Sequence, residues 1–181
     1  MNNPKEIILH CSATAEGKDY TVETIDKWHK QRGFKKIGYH YVIYRDGSVH
    51  KGRDEKETGA HTVNHNSKSI GICYIGGLAE DAKTPKDTRT NAQKESMYKL
   101  VDSLMKKYNI SLKDVHGHYE FAAKACPSFK MEQFKQEFTK WKENNNGNTT
   151  SNVLITTTNG GDWKSKILSF IYKLIKLLFT K

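Results

Sequence analysis

Glu6-Ile7-Ile8-Leu9-His10-Cys11-Ser12-Ala13-Thr14 is the stretch around which the rest of the chain can be arranged. Three large apolar residues in succession, closed off by polar ones, are the pattern of a short strand buried within a sheet. Such a strand delivers His10 at its end and turns Cys11 to the opposite face, into the core. A second run, Ser69-Ile70-Gly71-Ile72-Cys73-Tyr74-Ile75-Gly76, reads the same way, with Cys73 as a small core residue. Between the two lie a helix, Tyr20 to Arg32, stopped by Gly33, and a hairpin. The hairpin runs from Tyr39 to Tyr44, turns at Asp46-Gly47 and returns through Ser48 to His50. Gly52 to Lys68 is polar and reads as a surface loop, the kind of segment that carries binding groups.

Further along, Thr90 caps an amphipathic helix to Lys107, with Met97, Leu100, Val101, Leu104 and Met105 on its inner face. A short strand around Val115 and a final helix, Met131 to Trp141, complete the pattern. Strands alternating with helices predict an α/β fold, a mixed central sheet flanked by helices, over residues 1–142. Residues 143–161, rich in Asn, Thr and Gly, read as a flexible linker. Residues 162–181 place Trp163, Ile167, Ile171, Leu174 and Leu178 on one helical face and Lys166, Lys173 and Lys176 on the other. Five lysines against one aspartate make this a cationic amphipathic helix suited to an anionic membrane surface, and the lysines interrupt it too often for a span.

The formal charge of +10 over 181 residues favours polyanionic partners, among them nucleic acid, anionic lipid and carboxylate-bearing cell wall. No run of basic and aromatic residues resembles a nucleic-acid module, so nucleic acid is not the expected partner. Three cysteines without paired spacing argue against a disulfide framework and leave a metal ligand or buried thiols. Met1 to Ile8 lacks the apolar stretch of a secretory signal, so synthesis in the cytoplasm is expected.

A zinc hydrolase needs three protein ligands and one open position, and His and Cys donors suit zinc. His10, His118 and Cys126 could supply such a set, but their spacing matches no compact zinc finger, and the chain has eight histidines. His116, two residues before His118, is the competing ligand.

The words around these residues narrow the choice. His10-Cys11-Ser12-Ala13-Thr14, Gly38-Tyr39-His40-Tyr41, Arg45-Asp46-Gly47, Gly59-Ala60-His61, Ser69-Ile70-Gly71-Ile72 and Lys124-Ala125-Cys126-Pro127-Ser128-Phe129 occur in that order. From Lys5 to Trp141 the chain resembles the zinc-dependent N-acetylmuramoyl-L-alanine amidases of the phage-lysozyme and peptidoglycan recognition protein superfamily. The resemblance implies that His10, His118 and Cys126 bind one zinc ion, which would activate water and polarise the scissile carbonyl. It implies Tyr39 and Lys124 as catalytic partners, Lys124 stabilising the oxyanion and Tyr39 orienting water or relaying a proton. It also points to His61 and Asn66 as substrate contacts. His29 and His40 are read as structural, and His50 and His65 receive no role. One departure is Ala123, where the phage relatives carry proline. The expected activity is peptidoglycan cleavage between N-acetylmuramic acid and L-alanine, by a monomer acting on the cell wall. The alternative is a module that binds peptidoglycan without cutting it, for which loss of the cysteine ligand would be the mark.

Overall fold

The computed structural model describes residues 2–157. In chain order the elements are β1 (Glu6–Cys11), β2 (Thr14–Ala15), α1 (Val22–Gln31), β3 (Tyr41–Ile43), β4 (Val49–Lys51), β5 (Ser69–Tyr74), β6 (Gly77–Leu78), α2 (Asn91–Tyr108), β7 (Val115–Gly117) and α3 (Met131–Thr157). Contacts divide the chain into two units, Met1–Phe138 and Thr139–Lys181. The sheet and the site both belong to the first.

Five strands form one sheet in the order β4-β3-β5-β1-β7. β1 runs parallel to β5 and β7, β3 runs parallel to β5, and only β4 is antiparallel, as the partner of β3 in the hairpin. Gly47 takes the left-handed conformation that the hairpin turn requires. A separate parallel pair joins β2 to β6.

β3 and β7 have three residues each, so their hydrogen bonds, at about 0.5–1.5 kcal/mol apiece, do not exceed a backbone ordering cost of about 1–2 kcal/mol per residue. Burial decides the balance. Val42, Ile43 and Val115 are fully enclosed, each worth about 1.5–3 kcal/mol. The register sets Val42, Cys73 and His10 level with one another on one face. α1 covers that face through Ile25, which packs with Val42, Ile37 and Ile75. On the other face Tyr74 meets Phe129, which stacks on Phe134 of α3.

α2 begins where the sequence suggests, with Thr90 and Gln93 forming a reciprocal capping box. Gln93 does more than cap. It is fully buried, and its amide donates to the carbonyls of Ile43 and Ile75 at 3.2 and 3.0 Å, tying the helix start to two strand ends.

Two boundaries differ from the sequence reading. The first hairpin strand begins at Tyr41 rather than Tyr39. Tyr39 and His40 still pair with the returning chain, their carbonyls accepting from Arg53 and Gly52 at 2.9 Å. α3 runs past Trp141 to Thr157, into the stretch read as a linker. No proline interrupts that stretch, and an existing helix extends one residue at a time without a new nucleus. The remaining linker residues and the proposed amphipathic helix at 162–181 lie outside the described residues. Among the described residues no helix is long and apolar enough to cross a membrane.

Candidate active site and metal centre

His10 occupies the end of β1 and is fully buried. Leu9 pairs with Gly117 in parallel register, so the next residues on the two strands, His10 and His118, stand side by side with ring centres 4.5 Å apart. The turn that begins at His118 is fixed by Glu120, which accepts from the Gly117 amide and pairs with His116 at 2.8 Å. His116 is therefore committed to Glu120, and its ring lies against Phe121.

Cys126 arrives from a loop. Its carbonyl accepts from the Tyr119 amide at 2.8 Å, the buried Tyr74 hydroxyl donates to the Pro127 carbonyl at 2.9 Å, and the Tyr119 hydroxyl accepts from the Met131 amide. These bonds aim the sulfur at the end of β1, where it accepts from the Cys11 amide at 3.2 Å and lies 3.7 Å from His10 Nδ1. One donor atom each from His10, His118 and Cys126 falls within 4.8 Å of the others.

The electrostatics leave both imidazoles unprotonated, with nitrogen lone pairs free to bind. Burial, followed by the neighbouring His61, His118 and Lys124, holds the His10 imidazole well below its ordinary value. His118 is lowered by burial and by Lys124. The Cys126 thiol is raised by its side-chain contact with the Cys11 thiol and by burial, while the Cys11 amide that donates to the sulfur works in the opposite direction. Two neutral imidazoles and a cysteine sulfur form a donor set for a soft or borderline metal. A tetrahedral zinc site separates nitrogen and sulfur donors by about 3.6 Å, close to the His10–Cys126 contact.

Tyr39 stands beside this cluster, its ring 5.1 Å from that of His10. Burial raises its phenol well above the ordinary range, keeping it protonated. Lys124 is exposed on the Cys126 loop. It lines a cavity of about 410 Å³ together with His118, His61, Asn66, Phe34, Val63 and Phe121. Phe34 and Val63 are two of the three exposed large hydrophobics among the described residues, which gives this groove an apolar portion of its lining. A second cavity, beside Tyr41, Glu55 and Tyr108, contains none of these groups.

The other two proposed contacts sit differently from one another. His61 turns its ring toward His10, Nδ1 to Nε2 at 3.0 Å. The Asn66 side-chain oxygen accepts from the amides of both His61 and Thr62 at 2.8 Å, so that atom shapes the loop. Thr62, buried next to His61 and 3.4 Å from His10 Nε2, escaped the sequence reading. Gly71 escaped it too, although a glycine inside a strand signals a close approach, and here the His61 ring lies over it.

Comparison with known proteins agrees with this geometry. The family described as N-acetylmuramoyl-L-alanine amidase matches residues 1–129. The endolysin of Escherichia phage T7 is 38% identical over 138 residues, covering 76% of this chain and 85% of the relative. The peptidoglycan-recognition protein SC2 of Drosophila melanogaster is 30% identical over 123 residues, covering 67% and 64%. Among solved structures, the N-acetylmuramoyl-L-alanine amidase LysC from Clostridium intestinale superposes with a TM-score of 0.65 at 32% identity, covering 76% of this chain and 87% of that one. The family match takes in all the residues gathered around His10, and on that ground the chain belongs to the N-acetylmuramoyl-L-alanine amidase family.

Proposed function

We propose that this chain cleaves peptidoglycan at the amide between N-acetylmuramic acid and L-alanine, using one zinc ion held by His10, His118 and Cys126. The observation that carries the reading is the convergence of those three donor atoms within 4.8 Å, beside a cavity of about 410 Å³ that His118 also lines. Zinc bound there would supply Lewis acidity to the carbonyl and lower the pKa of a water molecule toward neutrality.

The protein's own groups account for the rest. The buried floor excludes bulk water from His10 and strengthens every charge interaction above it. Lys124, on the rim of the groove, places a cation where negative charge develops on the attacked carbonyl oxygen. Tyr39, kept as a neutral phenol, both donates and accepts, and so can pass a proton to the departing amine. Phe34 and Val63 offer apolar contact to the methyl groups of the lactyl and alanyl units.

The test is muropeptide release from purified peptidoglycan, with products identified by mass. Metal-loaded protein should release peptides ending in L-alanine, while chelator-treated protein and Cys126→Ser should release none. Lys124→Ala should retain metal and lose about 10²–10³ in kcat. Wall binding without cleavage by the metal-loaded protein would refute the enzymatic reading in favour of a recognition module.

A further inference from the structure

We propose that His61 is a positioning residue for the metal centre, the middle member of a hydrogen-bond relay that sets the tautomer of His10. The inference rests on the zinc reading given above. It begins at Ser69, whose hydroxyl donates to the His65 carbonyl at 2.8 Å and so leaves its oxygen as an acceptor. His61 Nε2, 3.4 Å from that oxygen, is then the protonated nitrogen of its ring. His61 Nδ1 is left with a lone pair and accepts from His10 Nε2 at 3.0 Å. A proton on His10 Nε2 leaves Nδ1 unprotonated, and Nδ1 is the nitrogen that lies 3.7 Å from the Cys126 sulfur.

Each ring therefore has its donor and acceptor assigned by the next group outward, ending at a backbone carbonyl that cannot change roles. The buried Thr62 hydroxyl, 3.1 Å from His61 Nδ1 and 3.4 Å from His10 Nε2, braces the same junction. Asn66 accepts from both loop amides and fixes the position from which His61 reaches inward. The absence of a side chain at Gly71 admits the ring, since a Cβ there would lie 2.6 Å from it. A group behind a ligating histidine normally raises its basicity and holds its plane. Here an imidazole fills the place more often taken by a carboxylate or carbonyl.

The experiment measures zinc affinity of the full chain by competition with a chromophoric chelator, and reads the His10 tautomer by ¹⁵N NMR of the zinc-loaded protein. His61→Phe keeps an aromatic ring, one atom larger, over Gly71 and removes both nitrogens. It should bind zinc about 10- to 100-fold more weakly than wild type. His61→Gln, whose amide oxygen can accept the same proton, should recover part of that loss, and wild-type His10 should show the proton on Nε2. Wild-type zinc affinity in His61→Phe with a lowered kcat/KM would overturn the proposal and return His61 to a substrate contact. A proton on His10 Nδ1 would overturn it equally. Wild type that binds no zinc at all would instead remove the metal-centre reading on which the proposal stands.

Discussion

Arg89 carries a charge into the protein interior, and replacing it with Met should cost about 2–4 kcal/mol of stability. Its side chain is wholly enclosed, pairs with Asp87 through Nε and Nη2 at 2.9 and 2.8 Å, and approaches Glu137 at 3.7 Å. The guanidinium also lies 3.6 Å from the centre of the Phe129 ring. Breaking a fully buried ion pair from one side costs about 3–5 kcal/mol, because the partner charge is stranded. Asp87 and Glu137 each keep about a quarter of their surface in water, which lowers that figure. The lost cation–π contact returns about 1–2 kcal/mol to the cost. Methionine preserves most of the apolar volume, so little of the loss is a cavity effect. Urea denaturation of wild type and Arg89→Met measures the difference, with a companion Asp87→Asn/Arg89→Met chain. If stranded carboxylates dominate, the double variant recovers part of the loss. A single-variant loss below about 1 kcal/mol, or no recovery in the double variant, would refute the reasoning.

Gly71→Ala forces the His61 ring outward, because the new Cβ would lie 2.6 Å from it where about 3.5 Å is ordinary, and overpacking of this kind costs about 1–3 kcal/mol. The His61–His10 bond should break, so zinc affinity falls together with thermal stability in a titration and a melting curve. His29 Nδ1 accepts from the buried Gly38 amide, and burial holds its pKa at about 4 against 6.5 for the free side chain. The unfolded chain therefore binds the extra proton first, and stability should fall by up to about 3 kcal/mol as pH drops from 6.5 to 4. His29→Gln should flatten that part of the stability curve, and an unchanged slope would count against the assignment. Deleting residues 162–181 should abolish binding to anionic lipid vesicles in a sedimentation assay, an expectation that comes from their lysine and apolar pattern alone.

What could be read from the sequence was local in origin. The Ile7-Ile8-Leu9 strand, the Asp46-Gly47 turn and the Thr90 cap each depend on residues within a few positions of one another, and each stands where its pattern put it. The sheet order was not legible, because pairing β1 with both β5 and β7 is a choice among distant partners that no local pattern encodes. Gln93 and Arg89 look like ordinary surface residues in the sequence, and both are buried: distant carbonyls of Ile43 and Ile75 meet Gln93, and Glu137, beside the neighbouring Asp87, meets Arg89. In the site, the ordered motif words pointed to His10, His118 and Cys126, and spacing alone did not. Their closeness comes from the Leu9–Gly117 register and from a loop anchored by Tyr74, none of which is adjacent in sequence. The placement of Thr62 and the inward aim of His61 depend on the folded path of the loop, which Asn66 fixes from a distance of several residues.

The three groups facing the proposed metal are held with different stiffness, and this bears on how the site works. His10 and His118 end two parallel strands whose register is fixed by fully buried Ile7, Leu9 and Val115. Moving one relative to the other would shift the whole strand and expose those side chains. Cys126 depends on a loop, yet that loop is pinned on both sides of the ligand, by Tyr119 before it and by Tyr74 and the Arg89–Phe129 stack after it. Lys124 lies on the same loop two residues earlier, with its side chain exposed and turned to the groove. The metal-facing atoms are thus set before substrate arrives, as a site that must stabilise developing charge requires. The cation proposed to meet the substrate, Lys124, remains on an exposed side chain with rotamers to adjust. Disturbing the Phe129 anchor should therefore reach Cys126 before it reaches either histidine.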